Sequence, residues 1–537
     1  MKTRRIMMAV AMILVCMSSV AQDKRAMAFQ AVAATPLTRT TVAQGKIQGF
    51  LQDGIGTFLG IPYALPPVGD LRWKAPVPAK AWKGTYKATT RKAAPYQPVD
   101  PNNPQKKQLS EDCLYVNVWT PATKADEKLP VMVWIHGGGF ITGDAFMNFT
   151  KLVKQGVIVA SLEYRLGALG FLATPELAAE SPTHTAGNYG LMDQVLALKW
   201  IKNNIAAFGG DPDKITIFGE SAGAISVSML CGSKMAKGLF TGAISESGGN
   251  FCPTDSVRFN NDGNRDQIGA QKHGLEYMKR MGAKNLQELR AMDPAKLVND
   301  PSTSGVGGFW PCVDNIYLGD QYKQYEKGQF NDVNILVGTN SDEGTMFVRE
   351  TTVPKYEADM HRIYGKFADR VLQLYPAKTD KDTYYAQSDQ FRETAFAWPS
   401  FAWERLQQEH GHSKVYVYYF DQMQDFCFGG PNYKPRGAGH ATDMNYVFGF
   451  TFGGKPLEGG QKELSDKMIA YWTNFAKYGD PNGNGSDANL LHWPLYNQDK
   501  TTVMHFKDNK CSLIDVPNRE KLEFWQNYYQ WKRDNWK

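Results

Sequence analysis

The chain lacks long apolar runs, clusters of basic residues and closely spaced cysteines, and each absence excludes a class of protein. After residue 21 no segment has 18 uninterrupted apolar residues, so the sequence predicts no integral membrane span. The formal charge is only +6 over 537 residues, and no block of lysine and arginine is interleaved with aromatic residues. Nucleic acid is therefore not an expected partner.

The cysteines are few and widely spaced. The sequence has seven, which are Cys16, Cys113, Cys231, Cys252, Cys312, Cys427 and Cys511. None forms a CxxC pair, so no zinc site is expected. A disulfide or two could form among the six that follow residue 21, and the sequence does not pair them. Apolar residues make up 42% and charged residues 21% of the chain, a balance typical of a globular protein.

The first 21 residues resemble an export signal. A basic start is followed by an apolar stretch over residues 6–17 and by the small-residue site Ser19-Val20-Ala21. We therefore expect cleavage before Gln22 and export to the periplasm or the medium. Leu14 and Val15 are bulkier than the residues before a lipoprotein cysteine, so lipid anchoring at Cys16 is not expected. Residues 22–44 look like a polar lead-in, and residues 45–537 are expected to form one domain.

Short β-rich runs alternate with helical patterns along the rest of the chain. This order predicts an α/β fold, with a large, mostly parallel sheet covered by helices on both faces. Apolar residues at helical spacing predict a helix over 191–205. Residues 345–412 are expected to form a helical insertion near the active site, and residues 520–536 a closing helix. The clearest strands are expected at 131–135, 157–162, 215–218, 242–245, 333–337 and 414–420.

A serine follows the strand expected at 215–218, within Gly219-Glu220-Ser221-Ala222-Gly223. Two glycines in a GxSxG sequence permit a tight turn between strand and helix, which lifts the serine hydroxyl above the sheet. The alternative is an ordinary surface turn. Since a strand precedes the motif and a helical pattern follows it, we interpret Ser221 as a nucleophile.

Three successive glycines follow the strand expected at 131–135, within His136-Gly137-Gly138-Gly139-Phe140. Backbone amides without side chains can approach a substrate oxygen closely, as in the oxyanion loop of ester hydrolases. The alternative is a flexible turn. Ligands of open parallel sheets bind beyond the carboxyl ends of the strands, which is where this loop and Ser221 are both expected.

The segment after residues 333–337 offers two carboxylates, Asp342 and Glu343. Either could orient a catalytic imidazole, and the residues alone leave the choice open. The histidine should follow the acid in the chain. Of the later histidines, His440 lies beyond the carboxyl end of the strand expected at 414–420, so it is the expected base.

These residues predict a reaction. His440 would take the proton of Ser221 as the hydroxyl attacks the carbonyl carbon of a small ester, and water would later hydrolyse the acyl-enzyme. No step requires a metal or an organic cofactor. The sequence does not indicate an oligomeric state.

The ordered motifs resemble one family, the type-B carboxylesterases, which include cholinesterases and related lipases. Besides the glycine loop and the serine elbow, they include Glu111-Asp112-Cys113-Leu114 and Phe208-Gly209-Gly210-Asp211-Pro212, and the resemblance runs from about Thr41 to the C-terminus. It implies an α/β-hydrolase fold, Glu343 as the acid, and Gly138, Gly139 and Ala222 as oxyanion donors. It also implies supporting roles behind the triad for Glu220 and Ser247. The alternative for Ser247 is a hydroxyl that satisfies the local backbone.

Three departures from the family limit what the resemblance implies. No cysteine lies between Cys16 and Cys113, so the family's usual disulfide is not expected, and residues 100–110 contain no tryptophan to bind a cationic alcohol. Glycines at 305, 307 and 308 suggest a roomy acyl side. We therefore expect a broad esterase for small to medium or aromatic esters. The alternatives are a lipase-like esterase for longer acyl chains and a non-catalytic adhesion module.

Overall fold

The computed structural model describes residues 34–98, 108–255, 264–300, 308–451, 454–485, 489–497 and 500–535. The expected signal peptide, most of the lead-in, and the glycines at 305 and 307 lie outside these residues. Residues 34–44, at the end of the expected lead-in, include a strand that pairs with residues 45–48.

An eleven-stranded sheet organises the chain. The strands of the molecule are β1 (Arg39–Val42), β2 (Gly45–Gln48), β3 (Phe50–Gln52), β4 (Ile55–Pro62), β5 (Thr85–Lys87), β6 (Ala94–Pro95), β7 (Leu109–Ser110), β8 (Tyr115–Thr120), β9 (Leu129–Ile135), β10 (Ile158–Leu162), β11 (Gly210–Glu220), β12 (Gly242–Glu246), β13 (Thr254–Asp255), β14 (Asn264–Arg265), β15 (Asn334–Asn340), β16 (Val415–Phe420), β17 (Thr502–Lys507) and β18 (Lys510–Asp515). All six strands expected from the sequence are present.

The spatial order of the large sheet is β18-β17-β16-β15-β12-β11-β9-β10-β8-β4-β3. In this spatial order the seven strands that begin with β17 and end with β10 run parallel to one another. The strands outside them, β18 on one side and β8, β4 and β3 on the other, pair antiparallel. The carboxyl ends of the parallel strands therefore meet along one edge of the sheet, as the α/β prediction requires.

Helices cover both faces of the sheet. The helices are α1 (Thr150–Val153), α2 (Gly167–Phe171), α3 (Pro175–Glu180), α4 (Tyr189–Asn204), α5 (Ala222–Gly232), α6 (Gln267–Met281), α7 (Leu286–Arg290), α8 (Pro294–Val298), α9 (Gln321–Glu326), α10 (Val353–Tyr364), α11 (Ala368–Leu374), α12 (Asp380–Arg392), α13 (Trp398–His410), α14 (Met444–Phe448), α15 (Gly459–Tyr478) and α16 (Arg519–Asn535). The helix predicted at 191–205, the helical insertion and the closing helix are all present as α4, α10–α13 and α16.

Alternation along β9 shows how the sequence builds two cores. Val131, Val133 and Ile135 face one buried cluster, whereas Met132 and Trp134 face the other. Successive strand residues point to opposite faces, so a wholly apolar strand serves both cores at once. No helix within the described ranges combines the length and the apolar character needed to cross a bilayer.

Candidate active site

Ser221 occupies the turn between β11 and α5, with φ 56° and ψ −123°. Residues other than glycine rarely adopt this backbone conformation. It persists only where the surrounding structure enforces it. A Cβ atom at Gly223 would lie 2.0 Å from the carbonyl oxygen of Ile135. The glycine of the GxSxG sequence thus lets the turn pack against the end of the neighbouring strand.

The imidazole of His440 links the serine to a carboxylate. His440 Nε2 lies 2.9 Å from Ser221 Oγ, and His440 Nδ1 lies 2.5 Å from Glu343 Oε2. Glu343 is fully buried and His440 nearly so, whereas Ser221 is partly exposed. A hydroxyl, an imidazole and a carboxylate in this order can move a proton away from a nucleophile and stabilise the resulting imidazolium.

The structure separates the two carboxylates between which the sequence could not choose. Glu343 points inward to His440. Asp342 instead forms an ion pair with Arg436, whose Nη2 lies 3.2 Å from Asp342 Oδ1. Glu343 is therefore the acid beside the histidine, in line with what the family resemblance implies.

The glycine loop lies against the serine turn. A Cβ atom at Gly137 would lie 3.2 Å from Ser221 Cβ, and Gly138 and Gly139 have φ of 102° and 63°. The backbone amides of Gly138, Gly139 and Ala222 donate no hydrogen bond to another described residue. These amides therefore have no described protein acceptor, as the donors of an oxyanion site require.

The two predicted supporting residues both lie next to the triad. Ser247 Oγ donates a 2.5 Å hydrogen bond to Glu343 Oε1, so its hydroxyl serves the acid rather than the local backbone. Glu220 Oε1 lies 3.2 Å from His440 Nε2. The structure thus joins the five predicted side chains in one cluster, with the glycine loop beside it; they are Ser221, His440, Glu343, Glu220 and Ser247.

Burial and carboxylates act against each other at His440. Burial lowers the pKa of His440, but the charges of Glu220 and Glu343 and the hydrogen bond to Glu343 outweigh it and raise that pKa to about 9. Burial raises the pKa of Glu220 to about 8, against the attraction of His440. The carboxylates therefore favour the imidazolium that forms when His440 accepts a proton.

Sequence reasoning missed several neighbours of the triad. Phe396 stacks on the His440 ring at 4.6 Å between centroids, and Phe347 meets it edge-on at 5.1 Å. Phe396 belongs to a π-helical turn, Glu393–Ala397, inside the helical insertion. The backbone amide of Asn340 donates to Glu343 Oε1 over 2.7 Å. Only Asn340 lies in the segment between residues 337 and 343 that drew attention in the sequence, and no spacing signals the two phenylalanines.

Within the described residues the structure has neither a disulfide nor a metal site. The cysteines within the described ranges form no disulfide with one another. Cys113 is buried. The same ranges contain no group of three or more His, Cys, Asp or Glu side chains arranged to hold a metal ion.

Comparison with known proteins identifies the family. The model of the carboxylesterase family matches residues 36–525. The chain belongs to the carboxylesterase family. A para-nitrobenzyl esterase of Bacillus subtilis is 34% identical over 502 residues, which cover 90% of this chain and 97% of that protein. A fumonisin B1 esterase of Sphingopyxis macrogoltabida is 34% identical over 479 residues, which cover 84% and 83% of the two chains.

A solved structure supports the same conclusion about the fold. The PNB esterase structure matches with a TM-score of 0.76 at 30% identity, covering 92% of this chain and 99% of that one. The predicted α/β-hydrolase fold and the predicted membership of the carboxylesterases are therefore confirmed. The protein is a carboxylesterase, an enzyme that hydrolyses esters.

Proposed function

We propose that this carboxylesterase acts through an acyl-enzyme on Ser221, with His440 as general base and acid and Glu343 as the residue that orients it. The observation that carries the proposal is the chain of contacts from Ser221 Oγ through His440 to Glu343, at 2.9 Å and 2.5 Å. Distances of this size allow direct proton transfer from the serine.

The proposed reaction has two halves. Ser221 Oγ bonds to the ester carbonyl carbon while its proton passes to His440 Nε2, and the oxyanion accepts hydrogen bonds from Gly138, Gly139 and Ala222. The C–O bond to the alcohol then breaks, and the alcohol leaves with the proton from His440. Water, deprotonated by His440, attacks the acyl carbon and releases the acid and the free serine.

A phosphonylating probe tests this mechanism. A fluorophosphonate reacts with an activated serine, so the native protein should be labelled once, on the peptide that contains Ser221. Ser221→Ala should lose the label and reduce kcat by about 10⁵-fold or more, by analogy with other serine hydrolases. Retention of labelling and turnover in Ser221→Ala would refute the proposal, and a native protein that takes no label would favour the adhesion-module alternative.

We propose a broad preference for small to medium or aromatic esters of uncharged alcohols. Aromatic rings lie near the nucleophile, since Phe396 and Phe347 contact His440, and Trp310 packs on Phe140 beside the glycine loop at 4.6 Å. The name of one relative, para-nitrobenzyl esterase, also points to an aromatic ester. Aromatic rings beside the nucleophile offer contacts to aromatic and alkyl groups. The expectation of an uncharged alcohol rests on the absence of a tryptophan from residues 100–110.

An ester panel separates this preference from the lipase-like alternative. Acyl and alcohol parts are varied independently, from acetyl to decanoyl and from ethyl to benzyl, in soluble form. We expect the highest kcat/KM for benzyl and short to medium acyl esters. Higher activity on emulsified long-chain triglyceride than on any soluble ester would favour the lipase-like alternative.

We also propose that the protein is exported after removal of residues 1–21. The basic start, the apolar stretch and the small residues at 19–21 support this proposal. Mass spectrometry of the protein from its native host should find Gln22 as the first residue. A mature chain that keeps residues 1–21, or that begins with a lipid-modified Cys16, would contradict it.

A further inference from the structure

Two fully buried carboxyl groups lie behind the triad and play no part in the mechanism above. Glu246 ends β12, next to Ser247, and Asp443 follows His440 by three residues. Neither forms an ion pair with a lysine or arginine of the described residues. The one group near them that can become a cation is His440, and Glu220 and Glu343 share its charge. Two further buried carboxylates are therefore too costly to ionise together, so one of the two should keep its proton.

Asp443 has the surroundings of an ionised group. Its Oδ1 accepts hydrogen bonds from the side-chain amide of Asn340 at 3.1 Å and from the backbone amide of Met444 at 3.1 Å. Its Oδ2 accepts one from the Tyr418 hydroxyl at 2.7 Å. Three donors on one carboxyl group stabilise its negative form.

Glu246 has the surroundings of a neutral group. Its Oε1 accepts a single hydrogen bond, from Trp472 Nε1 at 2.7 Å, and its Oε2 has no hydrogen-bond partner within the described residues. A buried carboxylate with one bare oxygen would lose its hydration without replacement, whereas a carboxylic acid loses far less.

Asp443 is also linked to both Glu343 and the loop of His440 through one residue, Asn340. The side-chain amide of Asn340 donates to Asp443 and to the carbonyl oxygen of Gly439, which precedes His440. The backbone amide of the same Asn340 donates to Glu343 Oε1. A negative charge on Asp443 thus fixes the side chain of Asn340, and Asn340 in turn holds Glu343 and the loop of His440 in position.

We propose that Asp443 is an ionised positioning residue for the His440–Glu343 pair, and that Glu246 facing it is a neutral carboxylic acid. The inference rests on the proposed function of that pair. The other titratable groups that face this cluster are Glu220 from the serine turn, Glu343 from the loop after β15, Tyr418 from β16 and His440 itself. Burial and the charge of Asp443 raise the pKa of Glu246 well above its usual value. Burial and the charge of Glu343 also raise the pKa of Asp443, against the hydrogen bonds from Tyr418 and Asn340 and the charge of His440, so the hydrogen bonds are what separate the two groups.

Two isosteric amides test the assignment. Asp443→Asn removes a negative charge that favours the imidazolium, so the acid-limb pKa of kcat/KM should fall by about one unit and kcat by about tenfold, with KM changed less than about twofold. Glu246→Gln replaces a neutral acid by a neutral amide, so its acid-limb pKa should stay within about 0.3 of the wild type. Tyr418→Phe removes one donor from Asp443 and should act in the direction of Asp443→Asn, which preserves the test if that variant does not fold.

An infrared measurement tests the protonation states without turnover. The wild-type minus Glu246→Gln difference spectrum at neutral pH should contain the carbonyl stretch of a protonated carboxyl group. The wild-type minus Asp443→Asn spectrum should contain the bands of an ionised carboxylate.

Two results would overturn the proposal: an acid-limb shift in Glu246→Gln as large as in Asp443→Asn, or difference spectra with the two signatures exchanged. A wild-type protein without Ser221-dependent ester hydrolysis would instead refute the proposed function, and the infrared assignment would still stand or fall separately.

Discussion

The hydroxyl of Ser247 donates a 2.5 Å hydrogen bond to Glu343 Oε1, the carboxylate oxygen that does not face His440. The backbone amide of Asn340 donates to the same oxygen. With two donors on Oε1, the carboxylate cannot rotate without losing both, and Oε2 stays directed at the imidazole. The acid is thus oriented by residues of two different strand ends.

Removing the Ser247 hydroxyl should loosen this orientation. We expect Ser247→Ala to reduce kcat by about tenfold with little change in KM, since a hydrogen bond to a charged group contributes about 1.5–3 kcal/mol. Ser245→Ala is the matched control, because the Ser245 hydroxyl is also buried but donates to the carbonyl oxygen of Gly248. Steady-state kinetics on one soluble ester decides, and equal losses in both variants would mean that the effect is not specific to the acid.

The close contact at the serine turn predicts a strict need for glycine at 223. A methyl group there would meet the carbonyl oxygen of Ile135 at 2.0 Å, so Gly223→Ala should destabilise the fold by about 1–3 kcal/mol and abolish most of the activity. At Gly232, at the end of the same helix, the atoms nearest a Cβ position are side-chain atoms of Gln321 and Gln324 at 3.2–3.4 Å, and no backbone atom of another segment is as close. Urea unfolding should leave Gly232→Ala close to the wild type, and an equal loss there would refute the steric argument.

The charge of Glu220 should set part of the pH dependence. Ester hydrolysis by the proposed mechanism needs a neutral His440, so kcat/KM should rise with pH through the pKa of that residue. Glu220 is one of the carboxylates that raise it to about 9. Glu220→Gln should therefore move the acid limb to lower pH by about one unit, and a shift to higher pH would contradict this electrostatic role.

A buried carboxyl group outside the site should make the free energy of unfolding decrease as the pH rises. Glu404 of α13 is buried, and burial, against a hydrogen bond from Tyr496, raises its pKa to about 8. Between its unfolded pKa of about 4.3 and this value, the folded chain binds the extra proton, so stability decreases as pH rises, by about 1.4 kcal/mol for each pH unit at most.

The substitution Glu404→Gln should remove most of this decrease. Urea unfolding at pH 5 and pH 8 measures it, with the exposed Glu463 changed to Gln as control. A wild type that loses no more stability between the two pH values than Glu404→Gln does would show that the buried carboxyl group carries no raised pKa.

The main features of the fold and the site were predictable because their signals are local. The serine turn and the glycine loop are each written in five consecutive residues after an apolar strand. His440 could be predicted because it follows the acid in the chain and lies in the glycine-bearing loop beyond the carboxyl end of β16.

The rest depends on packing between distant segments. The choice between Asp342 and Glu343 is made by a 3₁₀ turn, Glu343–Met346, and by Arg436 some 90 residues away, which holds Asp342. Phe396 reaches His440 only because a π-helical turn in the insertion packs over the site. Nothing in the residues near either phenylalanine signals such a contact.

The loops that carry acid and base are tied together directly. The amide of Asp342 donates to the carbonyl oxygen of Ala438 at 2.7 Å, and the amide of Ala438 donates to Ser341 Oγ at 2.8 Å. Glu343 and His440 are 97 positions apart in the chain, yet these bonds make them one rigid unit. The helices between the two loops can therefore shape the space around a substrate, while the proton path beneath them depends on bonds that lie outside those helices.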